Sequence, residues 1–173
     1  KNGEEVFGII NTAKKIIIEP KYKTLGKEFI NGFLIAENEQ SLFGLLATDG
    51  NWIIQPKFEM LFNYSGKTLA AKSKNWKIID LNENIIKSFP ADFSFVSDFF
   101  NEIAIYSVIT DESAKYGLID INGDTVLDNI CDRILPFPDN GYWQVLVNGR
   151  WMLFKADEGH LNPEEYLDFS KVK

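Results

Sequence analysis

The chain has 173 residues, of which 45% are hydrophobic and 25% are charged, so it can bury a core and is not a disordered segment. Its net charge of -7 disfavours nucleic acid and anionic lipid surfaces as partners, because both select for an excess of Lys and Arg. One cysteine excludes an internal disulfide, one histidine excludes a metal site built from several histidines, and no apolar run is long enough to span a membrane.

A short motif recurs along the chain. It consists of an aromatic residue, a second residue that is Gly in most copies, and then apolar residues. The copies begin at Phe7, Phe43, Trp76, Tyr116 and Trp151. The second motif position is Gly in the first, second and fourth copies, as Gly8, Gly44 and Gly117. In the third copy it is Lys77. A second apolar run follows each of the first four aromatic residues at the same distance, without gaps. This constant register predicts tandem repeats of one structural unit.

The two apolar runs of each copy flank turn-forming residues, at 11–14, 48–51, 81–84 and 121–124. Asp-Gly and Asn-rich turns between runs of Ile, Val and aromatic residues predict β-hairpins. A third apolar segment follows a connector in each copy, so the sequence predicts three strands per unit. The predicted units span residues 6–41, 42–74, 75–114 and 115–149, and a terminal fragment and cap span residues 150–173.

The predicted fold is therefore all-β. Units of this size cannot bury their own apolar faces, so we expect tandem antiparallel β-repeats that stack in a curved or superhelical array. A closed, propeller-like ring is the alternative. Asn162, Pro163 and the acidic residues after them predict a short C-terminal helix over residues 163–170 that caps the last unit.

The repeat resembles the WG (or KWG) repeat of bacterial proteins, over about residues 6 to 155. Residues 115–124 are similar to the first half of the family motif, and residues 53–58 are similar to its second half. Lys77 departs from the motif, and Asn129 stands where Pro20 and Pro56 stand in the first two copies. The resemblance implies a β-rich tandem repeat with no enzymatic activity and no catalytic residues. It also implies a bacterial source and favours an exported protein, in the periplasm, at the surface or secreted.

The motif residues themselves are interpreted as structural. Repeated apolar positions are first of all core positions, so we expect Phe7, Phe43, Trp76 and Tyr116 to pack against neighbouring units. We expect the adjacent glycines, Gly8, Gly44 and Gly117, to permit close backbone approach.

Four other aromatic residues are weak candidates for a binding surface: Trp52, Tyr142, Trp143 and Trp151. Trp52 lies in a motif column that also holds Ile16, Ile85 and Thr125, so that column tolerates exposure. Tyr142 and Trp143 follow a Pro- and Asn-containing loop, although their alignment with Phe33 and Leu34 favours core packing.

Candidate chemical sites are few. Asp120, Asn122 and Asp124 suggest calcium, but the positions that an EF-hand requires to be Gly and Glu are Thr125 and Cys131, so a tight turn is favoured and no metal or cofactor is predicted. Cys131 aligns with the bulky residues Tyr22 and Phe58, which favours a buried packing role. His160 lies in an acidic tail stretch, so catalysis by a Cys131–His160 pair is not expected.

We therefore expect a non-catalytic module that binds a protein or peptide, with a basic partner favoured by the acidic net charge. A carbohydrate or cell-wall binding module is the alternative, in which two or more of the four candidate aromatic residues line a groove. A hydrolase ranks third, because no pair of carboxylates occupies positions that indicate the paired acids of a glycosidase.

Overall fold

The computed structural model of the chain describes residues 5–62, 68–110, 113–137 and 141–156. In these residues the regular elements are β-strands, which confirms the all-β prediction. In chain order they are β1 Phe7–Ile10, β2 Ile16–Tyr22, β3 Thr24–Leu25, β4 Phe33–Glu37, β5 Phe43–Ala47, β6 Trp52–Phe58, β7 Met60–Phe62, β8 Thr68–Lys72, β9 Trp76–Asp80, β10 Ile85–Ser88, β11 Phe93–Phe100, β12 Ile103–Ile109, β13 Ala114–Asp120, β14 Thr125–Cys131, β15 Arg133–Phe137, β16 Tyr142–Val147 and β17 Arg150–Lys155. A helix of the length and apolarity needed to cross a bilayer does not occur in the described ranges.

The described strands form five antiparallel sheets that follow one another along the chain. Sheet 1 contains β1 and β2, sheet 2 contains β3–β6, sheet 3 contains β7–β10, sheet 4 contains β11–β14 and sheet 5 contains β15–β17. Strands that are adjacent in the sequence are also paired in each sheet, so every sheet is a meander. The tandem arrangement predicted from the motif register is therefore confirmed.

The sequence predicts three strands per unit, and that count is wrong. The connector between hairpin and third segment forms a strand of its own in each unit, namely β3, β7, β11 and β15. A complete sheet has four strands, because it joins the connector strand and third segment of one sequence unit to the hairpin of the next. We call β3, β7, β11 and β15 the first strands of their sheets.

The hairpin in sheet 2 shows why Gly follows the motif aromatic. Phe43 pairs with Phe58 and Leu45 pairs with Ile54, so β6 carries extra residues opposite Gly44 and bulges. A Cβ atom at Gly44 would lie 2.6 Å from the carbonyl oxygen of Ile54, and only Gly permits this approach. A Cβ atom at Gly8 or at Gly117 would likewise lie 2.5 Å from the equivalent carbonyl oxygen, that of Ile18 or of Leu127.

The third copy lacks both the Gly and the bulge opposite it. Lys77 pairs directly with Ser88, and β10 is only four residues long, whereas β2, β6 and β14 each have seven. A side chain is therefore tolerated at Lys77 because the partner strand does not bulge toward it. The departure from the motif in the sequence corresponds to a different hairpin in the structure.

The hydrophobic cores lie between consecutive sheets. We call the face of a sheet that packs on the following sheet its front face, and the opposite face its back face. Four buried clusters each join one pair of neighbours: sheets 1 and 2, sheets 2 and 3, sheets 3 and 4, and sheets 4 and 5. The motif aromatics and the residues two positions after them lie on front faces, and the residues three positions after them lie on back faces.

The described residues form an open stack. A closed ring would bring sheet 1 against sheet 5, but each of the four clusters is confined to one consecutive pair of sheets. On the back face of sheet 1, Ile10 is 62% exposed and Ile16 is 48% exposed. The predicted cap helix at residues 163–170 lies outside the described residues.

The hairpin turns add polar contacts between neighbouring sheets. Lys57 of β6 forms an ion pair with Glu83 in the next turn, and the ammonium of Lys87 lies 3.1 Å from the carboxylate of Asp124 in the turn after that. Gly123 packs so closely on Lys87 that a Cβ atom there would be 2.8 Å from its side chain. Each of these turns therefore rests on the fourth strand of the preceding sheet.

Candidate functional site

A cleft of about 420 Å³ lies where the first strands of three sheets converge. Thr24 and Leu25 of β3, Phe62 of β7 and Asp98 of β11 line it, together with the segment that joins β3 to β4. We call it the first-strand cleft. Its volume lies within the range of natural ligand pockets.

The walls of the first-strand cleft are mainly apolar. Phe33 and Ile35 of β4 line it from the front face of sheet 2, and Leu61 and Phe62 of β7 line it from sheet 3. Phe62 is held in place by stacking on the buried Trp76, with ring centroids 5.7 Å apart and an interplanar angle of 18°. The aromatic wall is therefore supported by the core between sheets 3 and 4.

The charged groups of the cleft are the carboxylates of Glu28 and Asp98 and the ammonium of Lys27. Lys27 and Glu28 belong to the segment between β3 and β4. That segment is anchored at its start, where the Gly26 amide donates a hydrogen bond of 2.8 Å to the carbonyl oxygen of Ile35. The cleft thus combines apolar walls with charged groups, and the carboxylates outnumber the ammonium group.

A β-bulge places Asp98 at the cleft. Val96 pairs with Tyr106 and Phe99 pairs with Ala104, so β11 has one extra residue over this stretch. The Ser97 hydroxyl accepts a hydrogen bond of 2.9 Å from the Ile105 amide and donates one of 2.7 Å to the Asp98 carbonyl oxygen. Bulges of this kind redirect a side chain, and here Ser97 stabilises the irregular backbone that carries Asp98.

A second recess of about 350 Å³ lies on the other side of the same segment, between sheets 1 and 2. Both recesses are lined by residues 25–28. Phe7 of sheet 1 lines the second recess but not the first-strand cleft. Residues 25–28 therefore form a common wall, and the two recesses together offer a surface longer than a single pocket.

The structure does not bring the four aromatic candidates into one groove. Trp52 lies in sheet 2, where its ring meets the edge of Tyr22 at a centroid distance of 5.7 Å. Tyr142, Trp143 and Trp151 all lie in sheet 5, on β16 and β17. None of the four lines the first-strand cleft.

Within sheet 5 these three residues divide between the two faces. Trp143 is 4% exposed on the back face, in the core shared with sheet 4, and meets the ring of Phe100 edge-on at 6.4 Å. Tyr142 and Trp151 lie on the front face and are partly exposed. The Lys155 ammonium lies 5.9 Å above the Tyr142 ring.

The motif aromatics occupy equivalent positions, as expected, but differ in burial. Trp76 is 1% exposed, Phe43 and Tyr116 are partly buried, and Phe7 is 47% exposed. Sheet 1 has only two described strands, so Phe7 has fewer neighbours to cover its ring than its counterparts in complete sheets.

The predicted packing role of Cys131 is confirmed, because its side chain is fully buried in the core between sheets 4 and 5. Burial raises the pKa of its thiol to about 11, so little reactive thiolate forms at neutral pH. His160 lies outside the described residues.

The Asp120 carboxylate accepts hydrogen bonds from the Asn122 and Asp124 amides at 2.9 and 2.8 Å, as expected for the predicted tight turn. No group of three or more potential metal ligands is found in the part of the chain that the structure describes.

Sequence reasoning did not identify the cleft residues Lys27, Glu28 and Asp98. They lie in or next to the connectors, which differ in length and composition from copy to copy and so give no repeated signal. The connectors are also the segments whose strands the sequence missed. Departure from the repeat is the one feature that could have directed attention to them.

Comparison with known proteins identifies the repeat. A family model described as "WG containing repeat" matches residues 7–40, 43–75 and 116–151, which together exceed half of the chain. The matches omit the third copy, in which Lys77 replaces Gly and the partner strand has no bulge opposite that position. Comparison with curated proteins gives no match.

Solved structures are similar to the chain at low sequence identity. The chain is similar to Hsv2 of Kluyveromyces lactis, with 14% identity, a TM-score of 0.52 and coverage of 91% of this chain and 56% of Hsv2. It therefore spans little more than half the length of that protein. The computationally designed protein Ika4 matches with 15% identity, a TM-score of 0.47 and coverage of 76% of this chain and 88% of Ika4. The designed protein Ika8 matches with 11% identity, a TM-score of 0.48 and coverage of 83% and 53%.

Proposed function

Since this chain belongs to the WG containing repeat family, we propose that it is a non-catalytic module that binds a protein or peptide partner at the first-strand cleft. The observation that carries the proposal is the composition of that cleft: apolar walls from two sheets, with an excess of carboxylates beside them. Stacked repeats commonly present such composite surfaces, because each unit contributes a few residues to a shared face.

The walls favour an apolar or partly apolar side chain as the occupant. Phe33, Ile35 and Phe62 provide apolar surface from two sheets, and a bound side chain gains free energy in proportion to the apolar area it removes from water. β3 is also the edge strand of sheet 2, and edge strands present unpaired main-chain groups that an extended peptide can bind. The site therefore suits a peptide segment that lies along β3.

The charges favour a basic residue in that segment. Glu28 and Asp98 supply two carboxylates against the single ammonium of Lys27, and the whole chain has a net charge of -7. A Lys or Arg side chain can place its aliphatic stem on the aromatic wall and its cation beside Asp98. Such a contact is steered by charge, so binding is expected to weaken as the salt concentration rises.

A synthetic array of short peptides tests this proposal. We expect the chain to retain peptides in which Arg or Lys adjoins Leu or Phe, and an Asp98→Asn variant to bind them roughly tenfold more weakly, as expected for loss of one partner of a charged contact. Asp92→Asn is the matched control, since Asp92 is exposed, precedes the same strand and does not line the cleft.

Two results would contradict the proposal. One is peptide binding that Asp98→Asn and Asp92→Asn change equally. The other is the absence of any sequence preference in the array. A Phe62→Ser variant tests the apolar wall separately. It should weaken the binding of every peptide that the wild type retains, whatever the charge of that peptide.

A further inference from the structure

The packing between consecutive sheets uses the same two motif positions each time. The residue two positions after the motif aromatic lies on the front face of one sheet, and the residue three positions after the next motif aromatic lies on the back face of the following sheet. Four such pairs share a core cluster: Ile9 with Leu46, Leu45 with Ile79, Ile78 with Ile119, and Leu118 with Phe154.

Two residues of this series have no counterpart in the described part of the chain. Ile10 occupies the back-face position in sheet 1, and Leu153 occupies the front-face position in sheet 5. Ile10 is 62% exposed, whereas the four residues at the same position in later sheets are at most 1% exposed: Leu46, Ile79, Ile119 and Phe154. Within the described residues, the first and last sheets therefore carry the two halves of an interface that the chain itself forms four times. A partner on the front face of sheet 5 would take the place of the C-terminal cap that the sequence predicts there.

Neighbouring residues extend each open face. Ile16 pairs with Ile10 across the first hairpin and is 48% exposed. Trp151 lies on the same face of β17 as Leu153 and is partly exposed. Among the motif aromatics of the preceding sheets, only Trp76 is fully buried. Trp residues of this kind often dominate the binding energy of an interface.

We propose that two copies of the chain associate head to tail, with the front face of sheet 5 of one copy on the back face of sheet 1 of the other. Trp151 and Leu153 of the first copy then pack on Ile10 and Ile16 of the second copy. The junction continues the internal series of sheet contacts, so the second copy needs no new kind of surface. Such a contact is heterologous, and each added copy again presents one open face of each kind.

Sedimentation velocity over a wide range of protein concentration tests this association. We expect the wild-type chain to form species of two or more copies as the concentration rises. Ile10→Asp and Leu153→Asp should each remain monomeric, because each removes one half of the junction. An equimolar mixture of the two variants should form a dimer and nothing larger, since the Ile10→Asp chain keeps its sheet 5 face and the Leu153→Asp chain keeps its sheet 1 face.

The controls distinguish this junction from association through a different surface of the chain. Ile109→Asp changes a residue that is 60% exposed on β12, away from both open faces, and should associate like the wild type. Ile16→Asp is a second variant of the sheet 1 face, for use if Ile10→Asp does not fold by circular dichroism. A wild-type chain that stays monomeric at every concentration would overturn the proposal, and so would a variant mixture that forms no dimer. Neither result bears on peptide binding at the first-strand cleft.

Discussion

The backbone of Gly44 lies so close to the carbonyl oxygen of Ile54 that a Cβ atom at residue 44 would be 2.6 Å from that oxygen. We therefore expect Gly44→Ala to reduce the free energy of unfolding by about 1–3 kcal/mol, the usual cost of overpacking a closely packed site. Lys77→Ala, at the same motif position of the third copy, should cost less than about 1 kcal/mol, because no bulge faces it. Urea denaturation of both variants measures the difference, and equal losses would contradict this account of the Gly.

Burial predicts a gradient of stability effects along the motif aromatics. Trp76 is 1% exposed, so Trp76→Ala should reduce the free energy of unfolding by about 3–5 kcal/mol. Phe7 holds the equivalent position but is 47% exposed, so Phe7→Ala should cost about 1 kcal/mol. Chemical denaturation that gave the same loss for both would show that their surroundings are alike, against the structure.

The carboxylate of Asp80 is expected to contribute to the pH dependence of stability. Hydrogen bonds from the Asn84 side-chain amide and from the Asn84 and Asn82 backbone amides hold the pKa of Asp80 below its usual value. A group whose pKa is lower in the folded state stabilises the fold above its unfolded pKa, and that contribution disappears as the pH falls through the folded pKa.

The melting temperature should therefore fall less between neutral pH and about pH 3 in Asp80→Asn than in the wild type. Glu59→Gln, at an exposed carboxylate outside the turns, controls for the loss of one negative charge. Asp49 and Asp132 also have lowered pKa values, so the variant should show a reduced pH dependence rather than none.

Cys131 should be unreactive in the folded chain. Its side chain is fully buried, and a pKa of about 11 leaves roughly a hundredfold less thiolate at neutral pH than the ordinary value of 9.0. A thiol-specific chromogenic reagent should label the native chain slowly and the urea-unfolded chain at once. Rapid labelling under native conditions would contradict the burial of this side chain.

Local sequence signals predicted the hairpins and the repeat correctly. Turn residues such as Asp80 and Asp120 form the hydrogen bonds that close a tight turn within a few residues, so their effect can be read without tertiary information. The constant spacing of the motif aromatics likewise reflects one structural unit that is repeated.

The first strands and the cleft depend on contacts that the sequence does not display. β3 is two residues long, and its strand geometry comes from pairing with β4, so no alternating pattern marks it. Asp98 reaches the cleft because of a bulge in β11, and a bulge becomes visible only when the partner strand is known. The aromatic candidates were chosen by residue type, and type alone does not show that Trp143 belongs to a buried core.

The central claim is that each sheet packs its front face on the back face of the next, through the same motif positions. A double-mutant cycle between Leu45 and Ile79 tests it most directly, because both residues lie in the core between sheets 2 and 3. With Leu45→Ala and Ile79→Ala we predict a coupling energy of about 0.5–3 kcal/mol, and with Leu45→Ala and Ile119→Ala a coupling below about 0.5 kcal/mol. No coupling in the first cycle, or equal coupling in both, would contradict the account.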